Sequence, residues 1–273
     1  MIVFPNCKIN LGLHILDKRE DGFHDLETVF YPVPIKDGLE LTHSNSLTDI
    51  EFTSSGFGID VNANDNICMK AYKLLKKDFP HLPAVKMHLH KAIPIGAGLG
   101  GGSSNGAFTL LLLNQKFGLA LLQEQLIDYA LQLGSDCPFF IVNKPCFASG
   151  RGENLLPLEL DLSAYKMVIV NPGIHINTGW AFSHLKSNRK RNPIVEIIER
   201  PVAEWKSSLI NDFEEPIFDR YEVIKNCKEQ FYNQGALYAS MTGSGSTVYG
   251  FFIKETEQHF NFPAHYFLKE IQL

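Results

Sequence analysis

The fold of this chain is decided by the stretch Pro94-Ile95-Gly96-Ala97-Gly98-Leu99-Gly100-Gly101-Gly102-Ser103-Ser104. Five of the seven residues from 96 to 102 are glycine, and two hydroxyl residues follow them. Glycine lets the backbone approach a ligand closely and turn its N–H groups inward, and a helix start adds the positive end of a dipole. The sequence therefore predicts a loop that cradles a polyphosphate, with Ser103 or Ser104 capping a helix that runs to about Gln115.

Two better-known phosphate loops do not fit this stretch. No Lys-Ser or Lys-Thr pair follows the last glycine, which excludes a Walker A loop. The glycines at 96, 98 and 101 have the spacing of a dinucleotide-binding turn, but the next acidic residue, Glu124, falls in a predicted helix rather than at the end of a second strand. A flexible linker is the remaining alternative, and the amphipathic strand before the loop and the apolar helix after it argue against a linker.

Composition sets the outer bounds of this interpretation. The chain has 273 residues, enough for one large or two medium domains, and its 45% apolar content is typical of a globular protein. The formal net charge of −5 argues against a nucleic-acid-binding protein or one that coats an anionic membrane, but it permits an anionic small substrate. The N-terminus shows no basic region followed by an apolar stretch, and five widely spaced cysteines without a C-x-x-C pair favour a reducing compartment; both predict a cytoplasmic protein.

Strand and helix periodicities alternate irregularly along the chain. Alternating polarity predicts strands over residues 8–16 and 85–90. Further strands are predicted over 26–33 (ended by Pro32 and Pro34), over 165–171 as a buried strand, and as a pair over 236–253. Helical spacing predicts helices over 66–79 and 119–133, the second ended by Gly134. The mixed order favours an α+β fold over a doubly wound parallel sheet, with a domain boundary near 155–160.

Three further segments are candidates for chemistry, and each is ambiguous when it is taken alone. Lys8 and Asn10 share the polar face of the first long strand, where a lysine is usually a solvated charge. Asp136 precedes Cys137 and Pro138, a spacing that predicts Cys137 at a helix cap, Pro138 as the first helical residue and Asp136 as a turn residue or a catalytic one. The glycine-rich segment 241–246 is either a tight hairpin turn or a second anion-binding loop.

Taken together, the segments 5–11, 94–104 and 241–246 resemble, in that order, the three motifs of the GHMP kinase superfamily of small-molecule kinases. The resemblance implies a two-lobed α+β fold. An N-terminal lobe similar to ribosomal protein S5 domain 2 would occupy residues 1–157, and a ferredoxin-like C-terminal lobe would occupy 158–273. The active site would lie in the cleft between the lobes.

The resemblance also implies roles for individual residues. ATP, acting with Mg²⁺, would donate its γ-phosphate, Asp136 would be the catalytic aspartate and Lys8 the catalytic lysine. A carboxylate can accept the proton of an attacking alcohol, and an ammonium can offset charge on the transferred phosphoryl group. The loop 94–104 would hold the triphosphate, with Asn66 and Lys91 near the base of ATP. The substrate contacts implied by the family are Asn10, Phe23, His24, Thr178 and Phe182.

Within the superfamily, the segments 18–24 and 134–140 resemble the branch that phosphorylates a cytidylated polyol. That branch usually has tyrosine where this chain has Phe23, so an aromatic ring for stacking is kept but a hydroxyl is lost. A mevalonate- or homoserine-type kinase is one alternative, and the segment 21–24 counts against it. A catalytically inactive binding protein of the same fold is another, and the presence of both Lys8 and Asp136 counts against that.

Overall fold

Two compact units make up the described part of the chain. The computed structural model describes residues 1–45, 48–58, 66–185 and 191–273. The first unit contains Met1–Cys7, Pro34–Ile95 and Gly100–Lys144; the second contains Lys8–Val33, Gly96–Leu99 and Pro145–Leu273. Neither unit is continuous in sequence, whereas the sequence predicts one boundary after residue 157, and that boundary stays a prediction. The sequence contains a basic segment at 186–191, which lies outside the described residues apart from Arg191.

Helices and strands are mixed along the chain, which confirms the predicted α+β class. The strands are β1 Ile2–Val3, β2 Asn6–Lys18, β3 His24–Lys36, β4 Gly38–His43, β5 Ile50–Gly56, β6 Val85–Lys91, β7 Cys146–Ser149, β8 Asn154–Pro157, β9 Tyr165–Asn171, β10 Tyr238–Met241, β11 Val248–Ile253 and β12 Phe267–Gln272. The helices are α1 Ile67–Asp78, α2 Gly101–Phe117, α3 Gln123–Leu133, α4 Cys137–Val142, α5 Thr178–Ser183, α6 Ile194–Ile198, α7 Glu214–Arg220 and α8 Glu222–Asn233.

The first unit is built on a sheet of order β1-β4-β6-β5. Strand β6 pairs antiparallel with β4 and parallel with β5, and its alternation buries Val85, Met87 and Leu89. Helix α1 begins where the Asn66 side chain accepts a hydrogen bond from the backbone N–H of Cys68, at 2.8 Å. Helix α2 follows β6 in the chain. The core of this unit is formed by the inward-facing residues of the strands and the apolar faces of the helices.

The second unit contains a sheet of order β10-β11-β9-β12, whose strands pair antiparallel. Val168 and Val170 of β9 pack in one cluster with Phe231 of α8 and Phe252 of β11. A further sheet has the order β2-β3-β7-β8. Strand β2 is joined to residues near 211 by the Leu13 N–H, which donates to the carbonyl of Ile210 at 2.9 Å.

Three local predictions are wrong, each for an identifiable physical reason. Helix α2 begins at Gly101 rather than after Ser103 or Ser104, because Gly100, at φ +67°, supplies a left-handed cap that only glycine adopts easily. Helix α4 begins at Cys137, one residue earlier than predicted, with Asp136 at its cap and Pro138 as its second residue. Proline is tolerated there because no N–H group of the first helical turn has a partner within the helix. Strand β3 continues through both prolines to Lys36, because its register with β7 covers only residues 28–30 and no ladder bond to β7 is lost.

Across residues 1–45, 48–58, 66–185 and 191–273, no helix combines the length and the apolarity needed to span a bilayer.

Candidate functional site

The glycine-rich loop passes from one compact unit to the other. Gly96–Leu99 belongs to the second unit, and the chain re-enters the first unit at Gly100. Gly96, Gly98 and Gly100 all have φ between +65° and +77°, the left-handed region in which a side chain is strained. At Gly98 a Cβ atom would lie 2.2 Å from the carbonyl oxygen of Thr242, so glycine is required there by both conformation and space.

The second-unit part of the loop is held by backbone hydrogen bonds from distant segments. The N–H of Lys8 donates to the carbonyl of Leu99 at 3.0 Å, and the N–H of Thr247 donates to the carbonyl of Ala97 at 3.3 Å. The hydroxyl of Thr242 also reaches the Gly98 carbonyl at 3.2 Å. Through these contacts, the segment 241–246 packs against the glycine-rich loop, as expected if both motifs serve one site.

The two serines at the start of α2 differ in environment. The N–H of Ser104 donates to the Gly100 carbonyl at 2.9 Å, and its side chain is fully buried. Ser103 is partly exposed and its hydroxyl contacts the thiol of Cys137. The first N–H groups of any α-helix lack partners within the helix and carry a positive partial charge. The turn from Gly101 to Ser103 can therefore receive phosphate oxygens.

Asp136 occupies the cap position of α4 and is half-buried in the first unit. The next residue, Cys137, is fully buried, and burial raises the pKa of its thiol to about 12. A thiol with that pKa is protonated at neutral pH and is a poor nucleophile. The chemistry available at this helix start is therefore that of the carboxylate, not of the thiol.

Lys8 and Asn10 lie side by side on strand β2, as the alternation predicts. The ammonium of Lys8 donates to Oδ1 of Asn10 at 2.6 Å and lies 4.6 Å from the centre of the Phe30 ring, and the side chain is only 4% exposed. A lysine on a solvated strand face would be far more exposed, so the ordinary surface interpretation is wrong for Lys8.

Asn10 is fixed from several directions. Its Nδ2 donates to Oγ1 of Thr28 at 3.1 Å, and the Thr242 hydroxyl donates to its Oδ1 at 3.2 Å. Its backbone carbonyl accepts a hydrogen bond from the hydroxyl of Tyr249 at 2.7 Å. Burial raises the pKa of Tyr249 well above its usual value, so this hydroxyl stays a donor at any physiological pH. The amide is therefore rigidly oriented toward Lys8.

Aromatic rings gather at the start of β3 and in α5. The rings of His24 and Phe182 stack with centroids 4.9 Å apart and planes at 17°, and Phe182 meets Phe213 edge-on at 4.9 Å. Phe23 is 53% exposed, with the guanidinium of Arg151 4.9 Å from its ring centre. Thr178 is the first residue of α5, and its hydroxyl contacts that of Ser244 at 3.1 Å. Four of the five predicted substrate contacts, all except Asn10, thus lie in β3, in the turn before it or in α5.

Asn66 and Lys91 are both buried in the first unit, where other groups already engage their polar atoms. Asn66 caps α1 through its side-chain oxygen. Lys91 forms an ion pair with Asp37, and its ammonium also donates to Oδ1 of Asn105 at 3.1 Å. Their assignment to the base of ATP stays a prediction.

Thr28, Asp37 and Asn105 were not identified from the sequence. Thr28 lies opposite Gly12 and donates to its carbonyl at 2.5 Å, a relation that depends on the register between β2 and β3. Asp37 resembles an ordinary turn residue before Gly38, and no local pattern reveals that it is buried. Among the described residues, no group of three or more His, Cys, Asp or Glu side chains is arranged to hold a metal ion.

Comparison with known proteins gives concordant results along most of the chain. Residues 66–144 match the family model for the GHMP kinases N terminal domain, and residues 195–260 match that for GHMP kinases C terminal. A 4-diphosphocytidyl-2-C-methyl-D-erythritol kinase of Azobacteroides pseudotrichonymphae genomovar. CFP2 is 51% identical over 98% of this chain and 100% of its own length. A kinase of the same name from Bacteroides fragilis (strain YCH46) is 50% identical over 93% of each chain.

Solved structures agree with these relatives. A crystal structure of a 4-(cytidine 5'-diphospho)-2C-methyl-D-erythritol kinase has a TM-score of 0.79 at 30% identity, covering 92% of this chain and 89% of its own. The mevalonate kinase of Methanococcus jannaschii has a TM-score of 0.67 at 12% identity, covering 94% and 92%, which is a likeness of fold alone.

Proposed function

Because the chain belongs to the GHMP kinase family, we propose that it transfers the γ-phosphoryl group of ATP to the C2 hydroxyl of 4-diphosphocytidyl-2-C-methyl-D-erythritol. The observation that carries the proposal is the 51% identity, over 98% of the chain, to a kinase named for that substrate. The chain is a small-molecule kinase with the predicted GHMP kinase fold. The proposal adds the substrate, and with it a place in the synthesis of isoprenoid precursors by the non-mevalonate route and a cytoplasmic location.

The chemistry follows from groups already described. Phosphoryl transfer proceeds through a loose transition state, so catalysis depends mainly on positioning and on stabilising negative charge. The Lys8 ammonium, held by Asn10 at 2.6 Å, supplies positive charge for the attacking oxygen and the transferred phosphoryl group. Asp136 orients the alcohol and accepts its proton as the bond to phosphorus forms.

Nucleotide binding is assigned to the loop 94–104 and the first turn of α2. The left-handed glycines turn the backbone so that N–H groups, rather than side chains, face an anion, and the α2 dipole adds to the attraction. Mg²⁺ bound to ATP would neutralise phosphate charge, and it keeps water and phosphate ligands without needing a cluster of carboxylates. The partly exposed hydroxyl of Ser103 is an oxygen ligand of the type that suits such an ion, so the residues present fit it.

Cytidine recognition is assigned to the aromatic group of Phe23, His24 and Phe182. Bases stack on aromatic side chains, and each stack contributes about 1–3 kcal/mol to binding. His24 and Phe182 stack on each other, so a base can add to an outer face of the pair without moving either ring, whereas insertion between them requires the rings to separate. Thr178, one helical turn before Phe182, is positioned as a further polar contact.

The proposal is tested by measuring ADP release with a panel of alcohols, namely the cytidylated methylerythritol, mevalonate and homoserine. We expect turnover only with the first, and a new phosphomonoester signal in the ³¹P NMR spectrum of its product. Activity on mevalonate or homoserine but not on the cytidylated alcohol would show that the assigned substrate is wrong.

Two variants separate chemistry from binding. Asp136→Asn is expected to abolish turnover while ATP still binds, and Lys8→Ala is expected to lower kcat by orders of magnitude. Near-normal kcat in Asp136→Asn contradicts the role of the carboxylate, and an effect of Lys8→Ala confined to KM assigns Lys8 to binding.

A further inference from the structure

A buried carboxylate connects strand β3 to strand β4 in the first unit. Asp37 is the single residue between Lys36 and Gly38, and it is 1% exposed. Its own N–H donates to the carbonyl of Pro5 at 2.9 Å, which fixes its backbone. A carboxylate so far from water is stable only where several donors satisfy its oxygens.

Within the described part of the chain, the donors to the Asp37 carboxylate come from the segment between the end of β6 and the second turn of α2. Oδ1 accepts from the N–H groups of Ala92 and Ile93 at 2.8 and 2.9 Å, and Oδ2 accepts from Nδ2 of Asn105 at 2.8 Å. Oδ2 also forms the ion pair with the Lys91 ammonium. The glycine-rich loop lies between these anchors in sequence, so one carboxylate ties down the residues on both of its flanks.

The three side chains form a closed arrangement. The Lys91 ammonium donates both to Asp37 and, at 3.1 Å, to Oδ1 of Asn105, while Nδ2 of Asn105 donates back to Asp37. A Cβ atom on Gly101, the first residue of α2, would lie 3.3 Å from the same ammonium. The start of α2 is thus seated directly on the Asp37–Lys91–Asn105 cluster, and a displacement of the cluster displaces the helix start.

We propose that Asp37 is a positioning residue for the nucleotide, which holds residues 92–95 and the start of α2 in the geometry that receives the triphosphate. This inference rests on the proposed function, because it deepens the assignment of the loop to ATP. Asp37 acts through the backbone of its anchors and touches no reacting atom.

The decisive variant is Asp37→Asn, measured by steady-state kinetics and by calorimetric binding of ADP. The amide oxygen can still accept from Ala92 and Ile93, but its NH₂ group then faces two other donors, Lys91 and Asn105. The displaced anchors shift the start of α2, so we expect the KM for ATP and the Kd for ADP to rise by about 10- to 100-fold. This is the size of effect that a misplacement of about 1 Å has on a catalytic rate. The KM for the alcohol is expected to stay unchanged.

A matched control separates positioning from general loss of stability. Leu75→Ala removes a fully buried apolar side chain of α1 in the same unit and none of the hydrogen bonds of the cluster. It is expected to lower the melting temperature and the active fraction, while both KM values and the ADP Kd of the folded enzyme stay at wild-type values.

Asn105→Ala provides a second route to the same test and decides the matter if Asp37→Asn does not fold. It breaks the anchor on α2 and leaves the ion pair between Asp37 and Lys91, so it too is expected to weaken ADP binding selectively. Unchanged ADP affinity in the folded variants, or equal increases in both KM values, would overturn the proposal. If the wild-type protein binds ADP but phosphorylates no cytidylated alcohol, the proposed function fails while the ADP titrations still decide the role of Asp37.

Discussion

Replacing Asn10 with alanine tests how the structure holds Lys8, the lysine proposed to act in catalysis. The change removes the Oδ1 atom to which Lys8 donates at 2.6 Å, together with the bonds to Thr28 at 3.1 Å and Thr242 at 3.2 Å. The backbone of Asn10 remains fixed by Tyr249, since that bond goes to its carbonyl. The perturbation therefore acts on the side-chain contacts of Asn10, above all on the direction in which the Lys8 ammonium points.

The size of the effect follows from the charge on the donor. A hydrogen bond that involves a charged group contributes about 1.5–3 kcal/mol, compared with about 1 kcal/mol for a neutral pair. Each 1.36 kcal/mol of transition-state stabilisation changes the rate by about tenfold, so kcat is expected to fall about 10- to 150-fold in Asn10→Ala. The KM for ATP is expected to stay within about twofold of the wild-type value, since the lost interaction acts in the transition state and not in the binding of ATP.

The assay is initial-rate kinetics with both substrates varied, and Thr28→Val is the matched control. Valine is similar in shape to threonine and removes both the acceptor for Nδ2 of Asn10 and the donor to the Gly12 carbonyl. The bond between Asn10 and Lys8 stays in place, so a smaller loss of kcat is expected. A loss confined to the KM for the alcohol would mean that Asn10 binds the polyol instead of orienting Lys8. A kcat within about twofold of wild type would refute the reasoning altogether.

Three further outcomes are expected. Gly98→Ala introduces a Cβ atom 2.2 Å from a carbonyl oxygen at φ +77° and should destabilise the protein by about 1–3 kcal/mol or more, measured by urea unfolding. In Gly102→Ala the new Cβ atom meets no atom within 4 Å, so this variant should be neutral or stabilising. Equal losses of stability in the two variants would contradict the conformational argument. Phe182→Leu should raise the KM for the cytidylated alcohol by about tenfold and leave the KM for ATP unchanged, and the reverse would place the base elsewhere. Burial raises the pKa of Cys137 from 9.0 to about 12, so as the pH rises the thiol ionises in the unfolded chain before it does in the folded one. The contribution of the protonated thiol to stability is complete below pH 9 and is lost as the pH rises from 9 towards 12. Cys137→Ala should therefore flatten the decline of the melting temperature over that range.

The local elements of the fold were largely predictable because they follow from periodicity. Strand β9 occupies the predicted residues 165–171, and the alternation at Lys8 and Asn10 correctly indicated that they share a face. The start of α2 was not predictable by the usual capping residues, since the left-handed Gly100 and not a serine hydroxyl begins the helix. Cap preferences describe side-chain acceptors, and a glycine run can supply a cap without one.

What the sequence could not supply is the pairing of distant segments. The burial of Asp37 depends on donors from residues 91–105, and the environment of Asn10 depends on Thr28 and Thr242. These relations arise from strand register and from the return of the chain after more than 200 residues, which no local window contains.

The discontinuity of the two units has a consequence for the order of folding during synthesis. Strand β2 is made early, but its Leu13 N–H bonds to Ile210, and the Ala97 carbonyl in the glycine-rich loop bonds to Thr247. These contacts cannot form before residues 210 and 247, respectively, have left the ribosome, and such long closures slow folding. The nascent chain therefore carries the glycine-rich loop without the residues that shape it, and the geometry proposed to receive the triphosphate is completed only after Thr247 has joined the loop.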